Sequence, residues 1–327
     1  MKTLTDLIDP ARRFTVVHGD RRAIRIERRY DAGVADLWHA CTEPERLARW
    51  LGVLRSVPAE GERAELEVSS GDVAAVTVQR CDPPRRLVAT WSWPGEQDTL
   101  LDLRIEADGR GARLTFEHLA LPVGAAAESG RGWDGLLVGL AAHLSDPEGP
   151  VPSTGQLDAL TLPLWPAAVD DRADRWPRID RDAALIEAER TVGADPASVW
   201  AALTEPDRLG AWFGVVGGDR SAWTIAYDNG TASGTVRECV PGRRLVTSWR
   251  WDFEAPDVPD STLTVELIAA AEGTTVRLRH EGVTGPIVGY GAGWFAHLEA
   301  FAATLAGHRP TDADWQADWS IASAMMR

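Results

Sequence analysis

Lysine is nearly missing from this chain: Lys2 is the only one among 327 residues. Arginine therefore carries almost all the positive charge, and neither half of the chain holds a lysine for Schiff-base or desolvated-amine chemistry. Cysteine is scarce as well, limited to Cys41, Cys81 and Cys239. Three thiols so dispersed give neither a disulfide framework nor the clustered spacing of a metal site. No metal and no cofactor is expected. No run of about 18 apolar residues occurs, and the N-terminal MKTLTDLIDPARRF lacks the apolar core of a secretion signal. The chain therefore reads as cytoplasmic, with no membrane contact. Positive charge is outweighed too, with a formal net charge of −15, which argues against nucleic acid as a partner. The counter-signal is the cluster Arg21, Arg22, Arg25, Arg28 and Arg29, read as the solvated face and flank of an edge strand. An apolar fraction of 44% and a charged fraction of 25% describe an ordinary soluble globular protein.

Tryptophan, by contrast, is abundant at 15 residues, and ten of these form one pattern written twice. Trp38, Trp50, Trp91, Trp93 and Trp133 are answered by Trp200, Trp212, Trp249, Trp251 and Trp294, at offsets of 158 to 162 residues. The text between them agrees. VADLWHACTEPERLARWLG (Val34 to Gly52) matches PASVWAALTEPDRLGAWFG (Pro196 to Gly214), and RRLVATWSW (Arg85 to Trp93) matches RRLVTSWRW (Arg243 to Trp251). A period this long is the size of a domain, typically about 100–150 residues, and not that of a solenoid repeat. The changes of offset fall around Val57–Gly71 and Phe253–Pro259, rich in Gly, Pro and acidic residues, where loops tolerate insertions. The organisation expected is a domain over 18–146, a Pro/Asp-rich linker over 147–181, a second domain over 182–307 and a tail over 308–327. Cys81 and Cys239 occupy equivalent positions in different domains and should not pair. Cys41 aligns with Leu203, as a small core residue would.

Within each copy the order of elements is the same. A strand over Ala23–Tyr30 precedes two short helices, Val34–Cys41 and Pro44–Leu51, with Thr42 and Thr204 as predicted N-caps before a proline at the first helical position. Strands follow over Arg63–Ser69, Val73–Arg80, Arg85–Trp93, Thr99–Glu106 and Ala112–Leu119. Leu87, Ala89, Trp91 and Trp93 share one face, as do Leu114, Phe116 and His118. A long amphipathic helix closes each copy, over Gly132–Leu144 and Tyr290–Leu305. A one-sided antiparallel meander with one helix able to cover it is an α+β layer architecture.

These residues resemble a known family. The Trp, Thr-Glu-Pro, Arg-Leu, Trp and Gly pattern, then Arg-Arg-Leu-Val with two tryptophans, then His118 or His280 and Gly-Trp, is similar to the Hsp90-ATPase-activator-homologue-like group of the START/Bet v 1-like (SRPBCC) superfamily. The resemblance covers both copies and implies two tandem helix-grip domains. In each, a curved antiparallel sheet wraps the long C-terminal helix, two short helices follow the first strand, and a cavity lies between sheet and helix. Nothing resembles the separate Hsp90-binding domain of the eukaryotic activator.

The expected cavity residues are Trp91, Trp93, His118 and Trp133 in the first copy and Trp249, Trp251, His280 and Trp294 in the second. Aromatic rings with one polar group suit a flat or apolar small molecule; equally, the rings could simply fill the core around a hydrogen-bonded histidine. His118 and His280 are the only histidines that repeat. No repeated Ser, Asp or Cys completes a triad with them, so a structural or binding role is favoured over a catalytic one. Glu43 and Glu205 read as helix-start charges, and Arg86 and Arg244 as outer-face residues at a turn. The function expected is non-enzymatic binding of a small hydrophobic or aromatic molecule. The alternatives are a polyketide-type aromatase/cyclase using the same cavity, and a protein-interaction or chaperone-related module. The last would use Trp165, Trp176, Trp315 and Trp319 in the linker and tail to meet a protein partner.

Overall fold

The alternation of apolar and polar residues becomes one eight-stranded antiparallel sheet in each copy. The computed structural model describes residues 11–68, 71–152, 157, 161, 164–165, 175–219, 221–227 and 230–326, and the chain divides into two compact units, 1–171 and 172–327. The N-terminal ten residues, on which part of the signal-peptide expectation falls, and most of 153–174 in the expected linker lie outside the described residues.

In the first unit the strands are β1 (Ala11–His18), β2 (Arg21–Tyr30), β3 (Gly52–Leu54), β4 (Arg63–Val68), β5 (Val73–Asp82), β6 (Arg86–Ser92), β7 (Thr99–Asp108) and β8 (Gly111–Pro122), in spatial order β1-β2-β8-β7-β6-β5-β4-β3. The helices are α1 (Val34–Thr42), α2 (Pro44–Leu47) and α3 (Ala126–Ser145). The second unit repeats this with β9 (Arg178–Asp180), β10 (Leu185–Val192), α4 (Pro196–Thr204), α5 (Pro206–Leu209), β11 (Val215–Gly218), β12 (Ala222–Tyr227), β13 (Gly230–Val240), β14 (Arg244–Trp251), β15 (Ser261–Ala270), β16 (Gly273–Glu281) and α6 (Ile287–Leu305). It adds α7 (Asp312–Met326). One irregularity repeats, a register shift in β5 between Val78 and Arg80 and in β13 between Val236 and Glu238, whereas the shift in β2 between Arg22 and Ile24 has no counterpart in β10.

Four expectations change. The short helices follow the second strand of each copy, because β1 and β9 add an edge strand ahead of it. β2 is therefore not an edge, and Arg25 and Arg28 are buried. Phe14 of β1 lies 4.8 Å under the Arg25 guanidinium and Tyr30 lies 5.4 Å under that of Arg28. Arg25 also pairs with Glu27 at 3.5 Å and Glu117 at 3.8 Å, so aromatic faces and carboxylates stand where water would. Arg86 is buried too, and forms a two-pronged pair with Asp102 at 3.0 and 2.8 Å, while Arg104 reaches the same carboxylate. Its neighbours hold that carboxyl well below the usual carboxylate range against the opposing effect of burial. Finally, Thr42 and Thr204 are not N-caps. Proline restricts the residue before it to extended backbone, so the cap position falls on Glu43 and Glu205. The threonine hydroxyls instead donate back to the carbonyls of Trp38 and Trp200.

The repeated tryptophans of this region hold the short helices together. Trp50 Nε1 donates to the Ala40 carbonyl at 2.9 Å, and Trp212 Nε1 to that of Ala202 at 3.0 Å.

Linker and tail cover the backs of the long helices. On α3, Gly130 lies against the Trp165 indole so closely that a Cβ there would sit 2.4 Å from ring carbons. On α6, Gly291 holds the equivalent place and receives Ile179 of β9 and Met326 of α7. Trp176 stacks on Phe295 at 4.6 Å. Trp165 and Trp176 are thus buried, and Trp315 of α7 reaches His297 at 5.4 Å. No helix among the described residues is long and apolar enough to cross a membrane.

Two neighbouring glycines on α3 make this packing testable. Gly130→Ala forces the Trp165 ring aside and should destabilise the first domain by about 1–3 kcal/mol. Gly132→Ala, with open space around its Cβ, should stabilise it by roughly 0.5–1 kcal/mol. Urea denaturation checks both, and equal effects would contradict the indole contact.

Candidate functional site

Three adjacent strands and the long helix meet at one buried histidine. Trp133 of α3 donates its indole N–H to His118 Nδ1 at 3.0 Å. An indole N–H can only donate, so Nδ1 carries no proton and Nε2 carries the ring's hydrogen. Nε2 lies 2.8 Å from Thr99 Oγ1, and the Thr99 hydroxyl donates to the Trp91 carbonyl at 3.1 Å. The second copy repeats every link: Trp294 to His280 at 3.0 Å, His280 to Ser261 at 2.8 Å, and Ser261 to the Trp249 carbonyl at 3.1 Å. Burial lowers both histidines to a pKa of about 3. Each ring is neutral, fully bonded and unable to serve as a base at neutral pH.

Beside this network the first domain holds a cavity of about 160 Å³, partly open to the surface where Val57 lines it. Its wall includes Trp91, Trp133, Phe116, Leu101, Leu103 and Ala89. Trp91 and Trp133 meet edge to face at 5.3 Å, and Phe116 lies 4.4 Å from Trp133. Polar atoms at the wall are few. The Thr42 hydroxyl and the indole N–H groups of Trp50 and Trp133 are bonded within the protein. The Cys41 thiol is pushed up to about 12 by burial, so it stays protonated and weakly nucleophilic. Cys81, also raised chiefly by burial, and the Trp91 indole N–H are the remaining polar side-chain groups of these lining residues. The structure thus places Trp91 and Trp133 at the wall. His118 stands behind them, and Trp93 packs on the edge of Trp91 at 5.6 Å without lining the cavity.

The second domain brings Trp249, Trp251, His280 and Trp294 together in the same way, yet its interior differs. Strand register equates Ala64 and Val76, paired across β4 and β5, with Trp223 and Gly234, paired across β12 and β13. Ala89 becomes Thr247, Leu51 becomes Phe213, Val68 becomes Tyr227 and Leu136 becomes His297. Trp223 reaches Trp249 at 5.2 Å, and Phe213 stacks on Trp294 at 5.7 Å. Aromatic rings therefore occupy the region that in the first domain borders the cavity. This interior also carries polar edges: Tyr227 Oη, Trp249 Nε1 and His297 Nδ1 are buried with no hydrogen-bond partner among the described residues. Sequence reasoning missed Cys41, Thr42 and this exchange of bulk. Only the exchange left a signal, the lone extra tryptophan of the second copy.

No group of three or more His, Cys, Asp or Glu side chains among the described residues is placed to hold a metal ion. An eight-stranded antiparallel sheet on a long C-terminal helix, written twice, with a cavity between sheet and helix in the first copy, defines a tandem helix-grip protein of the START/Bet v 1-like class. More narrowly, the family model described as activator of Hsp90 ATPase homolog 1-like protein matches residues 31–145 and 193–306, and the chain belongs to that family. No curated protein matches it. Among solved structures, CalU16 from Micromonospora echinospora is 31% identical over 48% of this chain and 94% of its own, with a TM-score of 0.39. DynU16, a protein of the dynemicin biosynthetic locus, is 17% identical over 93% of this chain and 99% of its own, with a TM-score of 0.38. Aha1 from Colwellia psychrerythraea is 19% identical over 37% of this chain and 95% of its own, with a TM-score of 0.33.

The histidine network predicts an acid dependence. Folded His118 titrates at about 3 against an ordinary 6.5, so between those values the unfolded chain binds the extra proton. Its contribution is complete above pH 6.5 and is lost as pH falls, with a slope approaching about 1.4 kcal/mol per pH unit. His118→Gln should be less stable than the parent at pH 7.5, and the gap should narrow by about 1.5 kcal/mol between pH 6.5 and pH 5. Urea titration of the first domain's transition measures it. A gap that stays constant would mean that His118 is not held neutral.

Proposed function

We propose that this is a non-enzymatic binding protein for a small apolar or aromatic molecule, held in the cavity of the first domain. The observation that carries the reading is the wall itself: aromatic and aliphatic, with few polar atoms, most of them bonded internally or protonated. The volume is near the roughly 150 Å³ of an apolar protein cavity that binds benzene. That is small for a drug-sized ligand, which needs about 300 Å³ or more, so the guest is a single ring or a small fused ring unless the wall opens. A polyketide aromatase/cyclase would need a proton donor or acceptor at the wall. The repeated histidine is taken up by its bonds to tryptophan and threonine, which favours binding over catalysis.

Toluene and naphthalene should each raise the melting temperature of the full chain, saturating at one equivalent. Ala89→Phe, which projects a ring into the cavity, should weaken that binding at least tenfold while leaving the fold intact by circular dichroism. Native mass spectrometry of protein from the source organism should show a retained apolar molecule. If no arene stabilises the protein and no molecule is retained, the reading fails.

A further inference from the structure

We propose that Trp223 is the built-in occupant of a ligand site in the second domain, and that without its ring the site takes a planar bicyclic N–H heteroaromatic of the indole class. The inference takes up the reading of the first cavity as a ligand site, but it stands on the second domain's own geometry.

Three positions differ together between the copies. Where β4 carries Ala64, β12 carries Trp223; where β5 carries Val76, β13 carries Gly234. A Cβ on Gly234 would lie 2.0 Å from the Ser248 carbonyl oxygen and 2.5 Å from the Trp223 ring, so the neighbouring backbone and the crossing indole both require a strand position with no side chain. The ring extends to β14, where Nε1 donates to Thr247 Oγ1 at 2.6 Å. Thr247 stands where the first copy has Ala89, and its hydroxyl passes its own hydrogen to the Thr235 carbonyl at 2.9 Å. That leaves a lone pair for the indole. Bulk, clearance and a hydrogen-bond acceptor are the three requirements for recognising an indole, and all three are met by residues that the first copy lacks. The first-copy counterparts Val76 and Ala89 both line the open cavity. Trp223 therefore lies over the strand positions that border open space in the other domain. Tethering the guest to β12 removes the entropy cost of binding it.

The test uses full-length Trp223→Gly with free indole, and with indene as the equal-sized ring lacking the N–H. The variant should melt lower than the parent. It should bind one more equivalent of indole than the parent does, and recover roughly 5–10 °C at 100 times the dissociation constant. Indene should bind about tenfold more weakly, and Thr247→Ala in the same background should erase the difference. A folded Trp223→Gly chain that gains no indole site overturns the proposal. Equal affinity for indole and indene overturns the assignment of Thr247. Should Trp223→Gly fail to fold, Trp223→Val keeps a side chain suited to the strand, and failure of both to fold at saturating indole also overturns it. Indole uptake by the variant, with no arene bound by the parent, would sink the function proposed for the first cavity and leave this inference standing.

Discussion

One neutral histidine per domain, bonded at both ring nitrogens, fixes the relation of the long helix to the sheet. The chain of donors runs from the helix tryptophan through the imidazole and a hydroxyl to the backbone carbonyl of the tryptophan on the central strand. Each donor has one acceptor, so the network has one arrangement, and buried networks of this kind specify a unique packing. Because Trp133 and Trp91 are its two ends, it also sets two walls of the first cavity. The cavity exists because this clamp holds the helix against one end of the sheet, while Ala89 and Val76 leave space between the strands and the helix.

A second device recurs wherever an indole must lie flat on backbone. Gly130 beneath Trp165 and Gly234 beneath Trp223 each remove the side chain that would collide with a ring. Interiors pack at crystal-like density, so Gly130 and Trp165 are strongly coupled, whereas Gly234 is held to glycine by the Ser248 carbonyl oxygen as well as by the ring. The two long helices are covered from different parts of the chain, yet both coverings seat on the same helical position, Gly130 and Gly291. One turn further along, Asp134 pairs with Arg13 of β1 at 2.5 Å, whereas Phe295 stacks on Trp176. A buried ion pair and an aromatic stack serve as equivalent seals, each matched to the segment that covers it.

Much of this was legible in the sequence. The duplication, the meander and the closing helix follow from the tandem tryptophans and from period-2 patterning, because sheet register is set by which residues must face inward. Trp91 could be placed on the inner face of its strand for the same reason, and Trp133 on the closing helix by the helical spacing of its apolar residues. β1 was not legible, since it precedes the repeated text, and the burial of Arg25 and Arg28 rests on the aromatic faces of Phe14 and Tyr30 together with the pairing of Arg25 to Glu27 and Glu117. The caps were misread because proline shifts the cap position by one residue. The place of His118 behind the wall depends on a hydrogen bond from α3, which strand parity does not encode. The different interior of the second domain rests on the pairs Ala64–Val76 and Trp223–Gly234, which become visible only once strand register is known.

Duplication explains why such a difference is stable. A single helix-grip domain that filled its cavity would lose any ligand function with it. With two copies, one interior can be rebuilt while the other stays open, provided the clamp is kept. Both clamps keep the same hydrogen bonds, the threonine-to-serine exchange preserving the hydroxyl. The rebuilt interior instead gained large rings at the positions of Leu51, Ala64 and Val68, and a histidine at that of Leu136. Filling a void with aromatic carbon stabilises a core by the transfer and dispersion energy that the void forgoes. That gain is offset by the three buried polar atoms left unpaired, each costing about 1–3 kcal/mol. A core shaped for stability alone would have used phenylalanine and leucine at Tyr227 and His297. Those polar edges sit in the domain whose cavity space is occupied, while the open cavity of the first domain has almost none.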